Sequence, residues 1–340
     1  MTGPRLRVVI VAALVSAGAV ACGGGGSGGG GDASTATTTT TGAATATTAP
    51  VRTIETVNAA WKLPAPVARE VVVASGKEFT VVGGLDATKF STTSVVTVDP
   101  ETGASRAAGA LAVAVHDAAG VRAGSRILVF GGGGPSENGT ADVQAVPGKG
   151  AATVIGSLPG PRSDHVAVRV GPTTYVLGGF DGTSIVPDVL ATTDGVTFTW
   201  VGSLPVPVRY PAVAAVGKAI YLFGGVSNSQ AGIDTRTVQR LDVASGAIDT
   251  VATLPTSLSH ASAIVLGGQV FLLGGYVDNT RLSDQILRFD PATGAVTRVG
   301  TLPAPVSDAA AVAIGKHGYL VGGQGTDRAP LATVTVISGA

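Results

Sequence analysis

The chain has 340 residues, 45% of them apolar and 13% charged, and its formal net charge at pH 7 is zero. That balance supplies no basic field to hold nucleic acid or an anionic membrane surface, so neither is expected as a partner. Fifty glycines and nineteen prolines run along the whole length, which favours many short strands joined by tight turns over long helices.

The first segment reads MTGPRLRVVIVAALVSAGAVAC. Arg5 and Arg7 precede an apolar run from Val8 to Val20. The run is shorter than the about 20 residues a bilayer-spanning helix needs, and residues 1–21 have the layout of a secretory signal. Cys22, the one cysteine of the chain, follows AVA and resembles the cysteine of a bacterial lipobox. The resemblance implies cleavage before Cys22, lipid on its sulfur, and tethering to the outer face of the cell membrane, with no other membrane contact. A single cysteine leaves no intrachain disulfide. Residues 22–50, beginning CGGGGSGGGG and rich in threonine, have no side chains able to build a core and read as a disordered linker.

From residue 51 to 340 a pattern repeats six times. An aliphatic or aromatic run stops at two glycines: Gly83-Gly84, Gly131-Gly132, Gly178-Gly179, Gly224-Gly225, Gly274-Gly275 and Gly322-Gly323. Twenty residues before each pair stands a leucine, at Leu63, Leu111, Leu158, Leu204, Leu254 and Leu302, followed by proline in every copy but the second. Thirteen residues after each leucine stands a turn glycine, at Gly76, Gly124, Gly171, Gly217, Gly267 and Gly315. Leucines and glycine pairs recur at intervals of 48, 47, 46, 50 and 48, so all length variation lies beyond the pair. Such a period, with four short strands per copy, predicts propeller blades. The glycine pairs are expected where neighbouring sheets converge and a Cβ would collide with the next blade.

These residues resemble the kelch repeat, whose aliphatic strand closes on Gly-Gly. The aromatic before the pair fits at Tyr175, Tyr221, Phe271 and Tyr319 and departs at Thr80 and Leu128, and of the tryptophans usual in the fourth strand only Trp61 and Trp200 remain. The resemblance implies an all-β, six-bladed propeller of four antiparallel strands per blade. Copy six ends at a third strand, and TIETVNAAWK upstream of Leu63 has no blade of its own. The N-terminal strand is therefore expected beside Thr333 to Ser338, closing the last blade and removing exposed edges.

Six residues past the leucines stand Arg69, Asp117, Asp164, Tyr210, His260 and Asp308, all polar. In a propeller they ring the mouth of the channel, with Asp117 facing His260 and Asp164 facing Asp308, and with Glu70, His116, Arg162, His165 and Arg209 thickening the ring. A position that repeats structurally but varies chemically suits ligand binding grafted on a scaffold, and water alone also favours a polar lining. The carboxylates lack the spacing of zinc or calcium sites. The loops beyond the glycine pairs mix apolar and polar groups at Phe90, Phe180, Ile185 and Tyr276, as a recognition surface does. Asn138-Gly139-Thr140 fits a glycosylation acceptor.

Two functions follow from the resemblance. The first is a binding module, taking a protein or glycan at the cell surface without catalysis, cofactor or metal, as a monomer. The second is a sugar-active enzyme similar to kelch-type sialic-acid mutarotases, using acid and basic groups at the channel mouth. Galactose-oxidase-like chemistry, which needs a cysteine at its copper site, is excluded because Cys22 lies outside the repeats.

Overall fold

In the computed structural model, which describes residues 54–134, 139–228 and 232–339, no helix occurs among the described residues and every regular element is a strand. The signal sequence, Cys22, the linker and Asn138 lie outside the described residues.

The fourth repeat shows how each copy folds. Ala212–Val216 pairs antiparallel with Ala219–Phe223, that strand pairs with Thr237–Asp242, and Ile248–Thr253 completes the sheet. The first hairpin turns on two residues, because Val216 lies opposite Ala219. The first turn residue is glycine in all six copies with φ between 57° and 64°, a conformation in which other residues are strained.

Among the described residues this plan gives six four-stranded antiparallel sheets. In the sixth, Ala310–Ile314, His317–Val321 and Val334–Ser338 are joined by Glu55–Asn58 from the other end of the repeats, with Thr56 opposite Ile337. The innermost strands neighbour one another in order, and the first, Val71–Ser75, also neighbours the sixth, Ala310–Ile314.

Each sheet is covered on both faces by its neighbours. Phe223 and Tyr221 pack with Leu272 and Phe289 of the following sheet, and Tyr319 and Val321 of the sixth sheet pack with Phe79 and Val98 of the first. Double coverage explains why the second strands are unbroken apolar runs such as ILVF and IYLF. An alternating pattern suits a sheet with one wet face. Val296–Thr301, one of the outermost strands, has no buried residue and is half-buried to exposed, and Trp200 stands 61% exposed on another of the outermost strands.

The glycine pairs have a fuller explanation than blade crowding. A Cβ on the first glycine would meet, in every copy, a backbone carbonyl of the segment leading into the next repeat's first strand: 2.5 Å from Val208 O at Gly178 and 2.0 Å from Leu258 O at Gly224. A Cβ on the second would strike the segment just before its own repeat's first strand, for instance 2.6 Å from Ser163 O at Gly179 and 2.9 Å from Arg209 O at Gly225. Both glycines of each pair also have positive φ, from 54° to 112°. This backbone turn aims the second amide at the neighbouring sheet, as in the 2.7 Å bond from Gly225 N–H to Leu258 O.

Candidate functional site

Arg69, Asp117, Asp164, Tyr210, His260 and Asp308 share one backbone conformation, the left-handed one, with φ from 50° to 59°. For a non-glycine residue this costs about 1–2 kcal/mol, so something must hold all six. Each amide donates to the carbonyl of its counterpart in the preceding sheet: Asp117 to Arg69 (3.0 Å), Asp164 to Asp117 (2.9 Å), Tyr210 to Asp164 (2.8 Å), His260 to Tyr210 (3.1 Å) and Asp308 to His260 (3.0 Å). Arg69 donates to Asp308 (2.9 Å), and the circuit returns to its start. Asp and His tolerate this conformation better than most residues, which explains four of the six side chains on backbone grounds. Arg69 and Tyr210 are not explained that way.

Arg69 reaches over the ring. Its Nη1 donates to Asp117 Oδ2 at 2.8 Å and to Tyr210 Oη at 3.2 Å, and its Nε lies 3.6 Å from Asp308 Oδ1. Tyr210 Oη lies 3.4 Å from the same Asp117 oxygen, and its ring stacks on His260 with centroids 3.8 Å apart. His260 Nδ1 bonds Asp308 Oδ1 at 2.7 Å, and Ser307 Oγ donates to Asp308 Oδ2 at 2.9 Å. Ion pairing therefore runs between neighbours, not between the opposed pairs expected from the sequence. Short carboxylates cannot cross the axis, whereas the long arginine can.

Burial and pairing tune these groups. Burial works to raise the Asp308 carboxyl, but His260, Arg69 and Ser307 outweigh it and hold the group below the ordinary range. Burial also works against the Arg69 charge, but Asp117 and Asp308 override it and raise the guanidinium pKa. Burial, then Asp117 and Asp164, push the Tyr210 phenol well up. Asp164 is pushed up to about 7 by burial and by Asp117, against the pull of Arg209, whose Nη1 is 3.5 Å from Asp164 Oδ2.

The flanking residues divide into two groups. His116 and Arg209 stay at the mouth. His116 Nδ1 is 2.8 Å from Ser91 Oγ and Nε2 is 3.7 Å from Asp117 Oδ2, and burial lowers its pKa. The Arg209 guanidinium lies 4.8 Å over the Phe180 ring. Glu70, Arg162 and His165 leave the ring and are buried between sheets. Arg162 donates to the carbonyls of Gly178 and Asp188, both at 3.3 Å. Neither the Glu70 carboxylate nor the His165 ring has a side-chain hydrogen-bond partner; backbone of Glu70 and Ala310 lies near the first and backbone of Ser163 and Phe130 near the second. Burial raises Glu70 well above its ordinary value, and burial together with Arg162 depresses His165 to about 3. Their positions one residue past a polar ring gave no sign of this, because which neighbour is buried is set by how closely the adjoining sheets pack there.

The ring separates two cavities. One of about 230 Å³ lies along the innermost strands, lined by all six ring residues, by Glu70 and His165, and by valines and alanines such as Val72, Ala119 and Ala311. The other, about 270 Å³, lies over the ring and is lined by Arg69, His116, Asp117, Ser163, Asp164, Phe180 and Tyr210. Phe180 is the one sequence-flagged loop residue that lines it. Phe90 is 72% exposed, and Tyr276 meets His260 edge-on at 5.6 Å. Among the described residues no group of three or more histidine, cysteine, aspartate or glutamate side chains is arranged to hold a metal ion.

Residues 257–303 match the Kelch motif. The solved structure of YjhT, a kelch-type propeller, superposes with a TM-score of 0.70 at 15% identity, covering 82% of this chain and 96% of that one. At that identity the likeness shows the fold. No curated protein matches the sequence.

Proposed function

We propose that the six sheets are the blades of a closed kelch-type propeller, sealed by the N-terminal strand in the last blade, and that it serves as a non-catalytic binding module. Its ligand is a glycan or a protein segment seated in the cavity over the ring. One observation carries this reading: six equivalent backbone positions bear four different side-chain chemistries, and four of those side chains, Arg69, Asp117, Asp164 and Tyr210, face the cavity over the ring while all six line the one beneath it. A scaffold needing only a wetted pore has no use for strained Arg69 and Tyr210, and strain of this kind collects at functional sites. The closed circuit of amide bonds supports the six-bladed ring.

Export and anchoring through Cys22 belong to the same reading. A Cys22→Ser variant is expected to leave the membrane fraction, and retention there counts against a lipid anchor.

A second reading, acid and base catalysis on a sugar, is favoured by Asp164, whose carboxyl at about 7 is suited to carry a proton at neutral pH. Glycan binding and anomer exchange, measured on the parent, Asp164→Asn and His260→Gln, separate the two. Binding without exchange supports the module. Exchange lost in Asp164→Asn supports the enzyme, and binding untouched by any substitution at the mouth sinks the proposal.

A further inference from the structure

Among the described residues, every charged group that faces the upper cavity already has an opposite charge beside it. Arg69 holds Asp117 at 2.8 Å and lies 3.6 Å from Asp308. Asp164 has Arg209 at 3.5 Å. His116, the remaining titratable base, has its pKa lowered by burial and so favours the neutral form. Asp117 and Asp164 are themselves buried, with 7% and 5% of their side chains exposed. A buried charge left without a partner is strongly unfavourable. A ligand bearing a carboxylate therefore finds no free cation and must break the Asp164–Arg209 pair to obtain one.

An uncharged ligand with several hydroxyls meets no such obstacle. Hydroxyls both donate and accept, and the lining offers both kinds of partner: guanidinium N–H on Arg69, the phenol of Tyr210, carboxyl oxygens on Asp117 and Asp164, and His116 Nε2. Phe180 contributes an apolar ring on one wall. The volume of about 270 Å³ sits just below the roughly 300–1,000 Å³ of drug-sized ligand pockets, which suits one ring and not a chain of them.

We propose that the cavity over the ring binds a single neutral sugar ring, free or as the end unit of an uncharged glycan, and discriminates against sugar acids through the occupied Asp164–Arg209 pair. This rests on the mouth-binding reading above and adds the ligand class to it. It makes Asp164 the residue that sets specificity: with the carboxylate gone, Arg209 is released to meet an anion.

The test is calorimetric titration of the protein at pH 8, where Asp164 with its value of about 7 is ionised, with glucose, galactose and mannose against glucuronic and galacturonic acids, repeated on Asp164→Asn. The neutral sugars are expected to bind roughly tenfold or more tighter than the acids, with affinity insensitive to added salt, and Asp164→Asn is expected to reverse the order. The preference for neutral sugars over acids is read on the parent protein, so it decides the matter even if the variant fails to fold. Acids bound as well as neutral sugars, or no sugar bound, overturns the inference. The mouth-binding reading falls separately, if sugar binding of either class survives His116→Ala and Tyr210→Phe unchanged.

Discussion

Gly217 and Gly224 sit at the two ends of one strand and share nearly one conformation, with φ of 60° and 61°. They differ in surroundings. A Cβ at Gly217 meets nothing within 4 Å, whereas one at Gly224 lands 2.0 Å from Leu258 O and 3.0 Å from its carbonyl carbon. Alanine at Gly217 therefore bears only the left-handed backbone, about 1 kcal/mol once the stiffer unfolded chain is credited. Alanine at Gly224 bears the same about 1 kcal/mol. It adds about 1–3 kcal/mol for wedging two backbones apart and about 1 kcal/mol for the stretched Gly225–Leu258 bond. The total is about 3–5 kcal/mol. Urea unfolding of the parent and both variants measures the difference directly: Gly224→Ala is expected at least about 2 kcal/mol below Gly217→Ala. Equal destabilisation would refute contact between sheets as the reason for the glycine pair and leave φ alone.

Replacing Arg69 by methionine leaves Asp117 and Asp308 buried without their cation and is expected to destabilise by about 3–5 kcal/mol. A second change, Asp117→Asn, is expected to restore part of that loss in thermal denaturation. The raised folded pKa of Glu70 means that the native state binds its proton more tightly than the unfolded chain does. The parent should then lose stability relative to Glu70→Gln as pH rises from the ordinary carboxyl range toward the raised value, and melting curves that stay parallel across that window would contradict it. Asp164→Asn should likewise flatten the fall in stability between about pH 4 and 7, since its folded pKa is raised to about 7. Removing residues 54–62 strips the partner of Val334–Ser338 and Ile54 from the core; the expected outcome is aggregation, checked by light scattering, and an unchanged melting temperature argues against it.

Much of the fold was legible because the repeat is carried by local chemistry. Turn glycines at one spacing, unbroken apolar second strands, an orphan strand before the first copy and a missing fourth strand in the last are properties of the chain itself, and the sheets follow from them. The ring positions were legible as well, since they keep register with the leucines. The left-handed backbone beneath them was not read, although three aspartates and a histidine at equivalent positions were a usable sign.

What the sequence alone determined is therefore the periodic part: six copies, their strands, and the six side chains that meet. Only the tertiary structure decided who pairs with whom. Arg69 spans the mouth while Glu70 and His165 turn into the seams, because which neighbour is buried is set by how closely the adjoining sheets pack there. Pairing and burial depend on distances between sheets that lie nearly fifty residues apart along the chain, and no local rule of spacing encodes those distances.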